Sequence, residues 1–363
     1  MTTKKLGRQT VALANPPTLA GHANVVGKKE GEGPLASSFD LIGSDDTFGE
    51  ATWEKSESAM QKQALALALD KAGQAASAMD WLFAGDLLNQ CIGSSFAARG
   101  QDIPFFGLYG ACSTMGEGLA LASMTLDGGF GEWAAVVVSS HFCTAERQYR
   151  TPLEYGGQRT PTAQWTVTGA GAAILAREGP GPYVTHCTLG KIADKGITDT
   201  NNMGAAMAPA AYATLTAHFQ DTGRGPDYYD LIVTGDLGKL GRELLLELFR
   251  QDGIALEYSS DRAEYSEVIS GDPERLKQVF CNLLDNAAKH GGSTGCGRTA
   301  GKISFSAPPA PSTPPPPPFR ESRCPVSATP SPSPLSNDPR HVQEKRSLIW
   351  NISTRFSAAA FCA

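Results

Sequence analysis

Two eight-residue runs, WAAVVVSS at 133–140 and GAGAAILA at 169–176, contain no charge and no regular alternation of apolar with polar residues. A strand that turns one face to water alternates, whereas an unbroken apolar run reads as a strand covered on both faces. Helices must then lie above and below the sheet, and the surrounding chain supplies them. WEKSESAMQKQALALALDKAG at 53–73 is rich in helix formers and stops on a glycine. WLFAGD and IPFFGLYG follow as short apolar strands, and 113–127 reads as a helix closed by DGG. Further on, PYVTHCTLGKIA is a strand, GAAMAPAAYATLTAHFQDTG a helix, YDLIVTGD a strand and KLGRELLLELFRQDG a helix. This alternation, sustained to about residue 253, predicts an α/β fold whose helices cover a largely buried sheet.

Composition narrows the partners. The net charge is −6 and only 19% of residues are charged, so the chain lacks the basic surface that nucleic acid requires. Its eight cysteines include no CxxC pair, which argues against a zinc ribbon or a disulfide scaffold and suits a reducing compartment. The opening MTTKKLGRQTVALANPP has no apolar core of a signal peptide. No run reaches the roughly 18 apolar residues of a membrane span, so a soluble protein without a transmembrane segment is expected.

The end of the chain has another character. Residues 307–334 hold 12 of the 24 prolines, mixed with serine and threonine, and include PPPPP. Too little apolar surface remains there to offset the entropy of ordering, so 307–363 is expected to be a disordered, proline-rich tail. PPPPPFR also has the composition of a ligand for proline-reading modules, with no second feature to support it.

In YGACSTMGEG a cysteine sits between an apolar strand and a helix rich in small residues. At a helix N-terminus the dipole and the amide groups stabilise a thiolate, which makes Cys112 a candidate nucleophile. A lone cysteine is also among the most buried residue types, so its order among neighbouring segments has to decide. FFGLYGACSTMGEGLALA, then WAAVVVSSH, then WTVTGAGAAIL resembles the thiolase and ketoacyl-synthase superfamily. WLFAGDLLNQ, TAERQYRTPLEYGGQRTPTAQWTVTGAGAA, GITDTNNMGAAMAPAA and DYYDLIVTGDLGKLG narrow the likeness, with NPPTLAGHANVVGKKEGEGPLASSFD before them, to the stage V sporulation protein AD family, from about residue 6 to 253.

That resemblance implies a thiolase-like layered α/β fold of two similar halves, each built on a five-stranded sheet. The first half, 1–184, is complete, and the second, 185–253, is truncated. It implies a protein that binds dipicolinic acid, free or as its calcium chelate, and assists its uptake into the developing endospore with membrane proteins of the same operon. It further implies a soluble or peripheral place at the spore inner membrane, and homodimers, for which AAVVVSS is the candidate pairing strand. A condensing enzyme needs a histidine and an asparagine beside the cysteine. Gly235 of TGDLG occupies the histidine position, so the resemblance leaves Cys112 in the nucleophile position with no catalytic residue assigned. Acyl transfer by Cys112 stands as the alternative. The candidate ligand-binding residues are Cys112, Asn89, His141 and Arg147, on segments that converge in that fold. Ordinary roles compete: Asn89 as a helix cap, His141 as a strand end, and Arg147 as a surface partner of Glu146 or Glu154. Neither a cofactor nor a resident metal is implied.

GDPERLKQVFCNLLDNAAKHG at 271–291 resembles the N-box of sensor histidine kinases. Proline at its first turn and glycines at its end mark a helix over 273–290, isolated within 254–306. Asn282 and Asn286 lie four apart on one face, with Lys289 three further on; by resemblance Asn286 is the magnesium ligand. The histidine helix and glycine-rich turns of that family are missing, so these residues read as vestigial in a composite chain, with an ATP-binding fragment as a second alternative.

Overall fold

The computed structural model describes residues 4–33, 36–149, 166–198, 202–229, 231–235, 237–254, 256 and 347–349. In chain order its elements are β1 (Thr10–Ala12), β2 (Thr18–Val26), α1 (Lys28–Gly31), β3 (Leu41–Ile42), α2 (Trp53–Ala72), β4 (Trp81–Gly85), α3 (Ile92–Ala98), β5 (Phe105–Leu108), α4 (Thr114–Asp127), β6 (Trp133–Ser140), α5 (Phe142–Tyr149), β7 (Gly169–Ala176), β8 (His186–Thr188), α6 (Met203–Thr222), β9 (Leu231–Val233), α7 (Gly238–Gln251) and β10 (Ser347–Ile349).

Every residue of β7 is buried, and its side chains alternate between two cores. Ala170, Ala172 and Ile174 pack with Ala64, Leu65 and Ala68 of α2, while Ala173 and Leu175 pack with Ala122 and Leu126 of α4. β6 divides in the same way, Ala135 and Val137 to one side and Ala134 and Val136 to the other. The period of two is therefore intact, and covering both faces is what removed its polar half. The strands run in the order β3-β2-β7-β6-β4-β5. The sheet has six strands where five were expected, and the two-residue β3 lies at one edge. β4, β5 and β6 are mutually parallel, and β7 runs against β6 and β2.

β2 was not foreseen. Its run TLAGHANVV carries His22 and Asn24 in buried positions. Asn24 is satisfied by a reciprocal pair with Asp40, each accepting the other's backbone N–H at 2.9–3.0 Å. The expected strand across PYVTHCTLGKIA shrinks to β8, which pairs antiparallel with β1 in a separate small sheet.

The second half repeats the start of the first. α2 and α6 are both 20 residues long, capped by the side chains of Thr52 and Asn202, and both end on a left-handed glycine, Gly73 at φ 63° and Gly223 at φ 65°. Each is followed by a short 3₁₀ turn, at Ala76–Ala78 and Pro226–Tyr228, and then by a strand, β4 or β9, whose sequences DWLFAGDL and DLIVTGDL run in step. α6 and α7 enclose a core of their own around Phe249, Leu215 and Leu245. Beyond residue 256 only β10 falls within the described residues; it lies parallel to β9, the one described piece of a tail expected to be unstructured. The helix expected over 273–290 lies outside them.

An N-terminal arm ties the halves together. Asp127, at the end of α4, accepts from Lys4 Nζ at 2.7 Å and from the Asn15 amide at 2.8 Å. Asp221, near the end of α6, accepts the backbone amides of Arg8, Gln9 and Thr10. Beneath that junction the Thr10 hydroxyl meets the Thr188 hydroxyl at 2.8 Å, Thr188 meets His218 Nδ1 at 2.7 Å, and His218 Nε2 meets the Tyr229 hydroxyl at 2.5 Å. Burial, with His186 and Arg224 nearby and Asp221 opposing them, lowers the His218 pKa to about 4. An unfolded histidine titrates near 6.5. Protonation thus favours the unfolded chain, and the stability held by neutral His218 is complete above pH 6.5 and lost as pH falls toward 4. At about 1.4 kcal/mol per pKa unit the loss is about 3 kcal/mol. Thermal unfolding followed from pH 7 to 4 should show this decline, and His218→Phe should flatten that part of the profile relative to the parent chain.

Candidate functional site

From β4 the chain passes through α3 to β5 on one side, then through α4 to β6 on the other. α3 and α4 lie on opposite faces, which makes the carboxyl ends of these parallel strands a topological switch point, the position at which α/β proteins place a ligand crevice. Two turns form its walls.

The first turn is organised by Asp86, which is 2% exposed. Its carboxylate accepts from the Leu88 amide at 2.8 Å, the Ser94 amide at 2.7 Å and the Ser94 hydroxyl at 2.6 Å. Held at both ends, the segment between passes through left-handed conformations at Gln90 (φ 61°) and Cys91 (φ 51°). Non-glycine residues adopt these at a cost that surrounding bonds must outweigh. Asn89 sits on this turn, exposed, and the capping role open to it belongs to Asp86 instead. Sequence reasoning passed over Asp86; the signal available was a carboxylate directly after the apolar strand WLFAG.

The second turn follows β5. Ala111 is left-handed (φ 48°), the Ser113 hydroxyl donates to the Gly110 carbonyl at 2.7 Å, and the Thr114 hydroxyl donates to the Ala111 carbonyl at 2.8 Å. Cys112 stands on this tightened turn at the N-terminus of α4 and is exposed, as a strand-to-helix nucleophile position requires. The two turns touch: the Tyr109 hydroxyl donates to Asn89 Oδ1 at 3.1 Å, and Cys91 Sγ donates to the Leu108 carbonyl at 3.1 Å. Burial, and then the nearby Asp86 charge, push the Cys91 thiol up to about 11, which keeps it protonated.

Under the crevice runs a buried polar chain. Gln61 Nε2 reaches the Gly85 carbonyl at 3.2 Å, Ser94 Oγ at 3.0 Å and Ser139 Oγ at 2.7 Å. The Ser139 and Thr144 hydroxyls donate to the two oxygens of Glu57 at 2.8 and 3.0 Å. This chain fastens α2 to the ends of β4 and β6 and to the first turn of α5, fixing the strand ends that carry the two turns.

His141 follows β6 at the same edge of the sheet but is only 1% exposed. Its Nε2 donates to the Asp46 carbonyl at 2.8 Å, its Nδ1 accepts from the Cys143 amide at 3.2 Å, and its ring stacks on Trp53. Burial lowers its pKa, so the ring is neutral. Both nitrogens are thus engaged by the chain, and His141 ends its strand and starts α5. Arg147 lies on α5, and its side chain lies outside the described residues, as do Asn282, Asn286 and Lys289. The structure therefore brings together the two turns that carry Asn89 and Cys112, through the Tyr109–Asn89 contact, and turns His141 inward. Gly235 is exposed after β9 and offers no side chain toward the cysteine. A narrow groove between α2 and α3, lined by Gln61, Lys62, Leu65, Leu82, Ala84, Ala97, Ala98 and Val137, includes none of the candidate residues. Among the described residues no group of three or more His, Cys, Asp and Glu side chains is placed to hold a metal ion.

Comparison with known proteins agrees with this architecture. OleA of Xanthomonas campestris with cerulenin bound superposes with a TM-score of 0.51 at 16% identity, covering 75% of this chain and 89% of that one. The 3-oxoacyl-(acyl carrier protein) synthase III, FabH, of Xanthomonas oryzae pv. oryzae gives a TM-score of 0.50 at 17% identity over 77% and 91%. At such identities the likeness shows the fold, which is thiolase-like. Stage V sporulation protein AD of Bacillus subtilis (strain 168) is 42% identical over 250 residues, 69% of this chain and 74% of that protein. The model of the family described as stage V sporulation protein AD (SpoVAD) matches residues 7–265, past the junction expected near 253. With most of its length inside that match, the chain belongs to the stage V sporulation protein AD family.

Proposed function

We propose that the crevice between the turns after β4 and β5 binds dipicolinic acid, and that the chain serves its uptake into the developing endospore as a non-catalytic, thiolase-like subunit beside membrane proteins of the same operon. The observation that carries this reading is the pairing of the exposed Cys112 turn with the Asn89–Tyr109 contact. A flat pyridine dicarboxylate calls for hydroxyl, amide and thiol groups around its ring, and these two turns carry such groups at the N-terminus of a 14-residue helix. No helix among the described residues is long and apolar enough to cross a membrane, so a peripheral place beside membrane partners fits the chain.

The charge of the rim bears on the form of the ligand. Glu117 lies in the first turn of α4, close enough that a Cβ added to Gly110 would stand 2.4 Å from its Oε2. Asp86 lies below the other turn. A free dianion would meet these carboxylates, whereas the calcium chelate carries no net charge, so the reading favours the chelate. Acyl transfer is the second reading, favoured by the exposure of Cys112 at a helix start. Labelling of Cys112 by a coenzyme A thioester would support it.

A second copy of the chain is the partner the sheet favours. β6, the strand first considered for pairing, is bonded to β4 and β7 on its two sides and cannot accept another. β5 lies at the sheet's end, with Phe105 and Phe106 36% and 48% exposed and Phe96 53% exposed beside it. Antiparallel pairing of two β5 strands about a twofold axis would satisfy both edges and cover these rings.

Three outcomes are expected. In calorimetry Cys112→Ala and Asn89→Ala should each weaken dipicolinate binding about tenfold, the loss of roughly one polar contact, with thermal unfolding unchanged; unaltered affinity in both would move the site elsewhere. Dipicolinate should bind more tightly with calcium than without, and Glu117→Gln should narrow that difference. In analytical ultracentrifugation Phe106→Asp should convert a dimer to a monomer.

A further inference from the structure

The N-terminal arm folds back on itself. The Leu6 amide donates to the Thr10 carbonyl at 3.0 Å and the Ala12 amide to the Lys4 carbonyl at 2.8 Å, which makes 4–12 a hairpin. Its turn sits on Asp221 so closely that a Cβ on Gly7 would stand 2.0 Å from the carboxylate. Leu189, just past β8, joins the same turn: its amide donates to the Gln9 carbonyl at 2.9 Å, and Gln9 Nε2 donates to its carbonyl at 3.0 Å. From there the chain runs to residue 198 without regular structure. Ala193 holds it to the α6–α7 core, and the Asp194 carboxylate turns it by accepting the Gly196 amide at 2.7 Å.

These two joined segments expose aliphatic side chains and cations together. Leu6, Leu189, Ile192 and Ile197 are 48%, 47%, 59% and 36% exposed. Lys5, Arg8, Lys191 and Lys195 are exposed among them. Residues 4–9 and 189–198 hold five cations, counting Lys4 on Asp127, and one acid, Asp194, in a chain whose net charge is −6. Asp221 lies beneath the turn, its carboxylate engaged by the amides of the arm.

We propose that the hairpin turn and the segment 189–198 form a docking surface for an anionic lipid bilayer, the aliphatic side chains entering the headgroup layer and the cations meeting lipid phosphates. Charge complementarity selects this occupant. An acidic protein with one basic face is drawn to a negative surface through that face and is oriented by it. The apolar residues point the same way. Single leucines and isoleucines among lysines suit the headgroup boundary, whereas a protein interface centres on a packed core rich in aromatic residues. Lysine stems can lie along the apolar layer while their ammonium groups reach the phosphates. This surface deepens the peripheral placement proposed above and does not depend on the ligand crevice.

Co-sedimentation of the full-length chain with vesicles tests it. Mixed phosphatidylglycerol and phosphatidylcholine vesicles should carry the protein down, and pure phosphatidylcholine vesicles should not. Lys191→Gln combined with Lys195→Gln should weaken binding about twenty-five-fold, each cation contributing about fivefold at a charged surface. Ile192→Ser should weaken it about tenfold. Thermal unfolding of these variants should match the parent. Dipicolinate binding, measured on the same preparations, shows separately whether the crevice reading fails. No sedimentation with either vesicle, equal sedimentation with both, or variants that bind as the parent does would overturn the proposal. So would capture only by vesicles that carry a membrane protein, which would make this face a protein interface.

Discussion

Burial of β6 and β7 on both faces, between α2 and α4, is the constraint on which the rest depends. A strand covered twice has no room for polar side chains, so every group with chemistry is driven to the strand ends. There the backbone leaves the ladder, and its amides and carbonyls need other partners. Asp86 and Gln61 supply them at the carboxyl end of β4, while Ser139 and Glu57 tie the end of β6 to α2. The crevice and its floor are thus consequences of the core's composition. The same demand explains why α3 and α4 lie on opposite faces of the sheet, since one helix alone would uncover the other side.

That reasoning also separates what the sequence disclosed from what it hid. β6, β7, α2, α4, α6 and α7 were legible because unbroken apolar runs and glycine-stopped helices are local signals. β2 was not, since His22 and Asn24 interrupt it and the partner that makes Asn24 tolerable, Asp40, lies elsewhere in the chain. The turn after β4 was equally opaque. Its left-handed Gln90 and Cys91 depend on the Asp86 carboxylate gripping Ser94, and no pattern of residue types announces such a clasp. Cys112 was found at its strand-to-helix turn because small residues and glycine surround it there. The choice between ligand contact and strand end for His141 needed coordinates, since only the distances to Asp46 and Cys143 show both nitrogens engaged.

The fold sets Cys112, exposed, on the turn between β5 and the N-terminus of α4. The left-handed Ala111 lifts that cysteine clear of β5 just ahead of α4.

The N-terminal arm has a consequence for how the chain is made. Residues 8–10 are held by Asp221, and Thr10 by Thr188, so β1 has no site to occupy until α6 has been synthesised. β2 likewise waits for β7, whose residues lie some 150 positions downstream in the register. A ribosome adding about 5–20 residues per second would hold the first segment unpaired for many seconds. In the nascent chain the earliest residues are therefore among the last to settle, and factors that bind new chains would find this arm accessible throughout translation of the body.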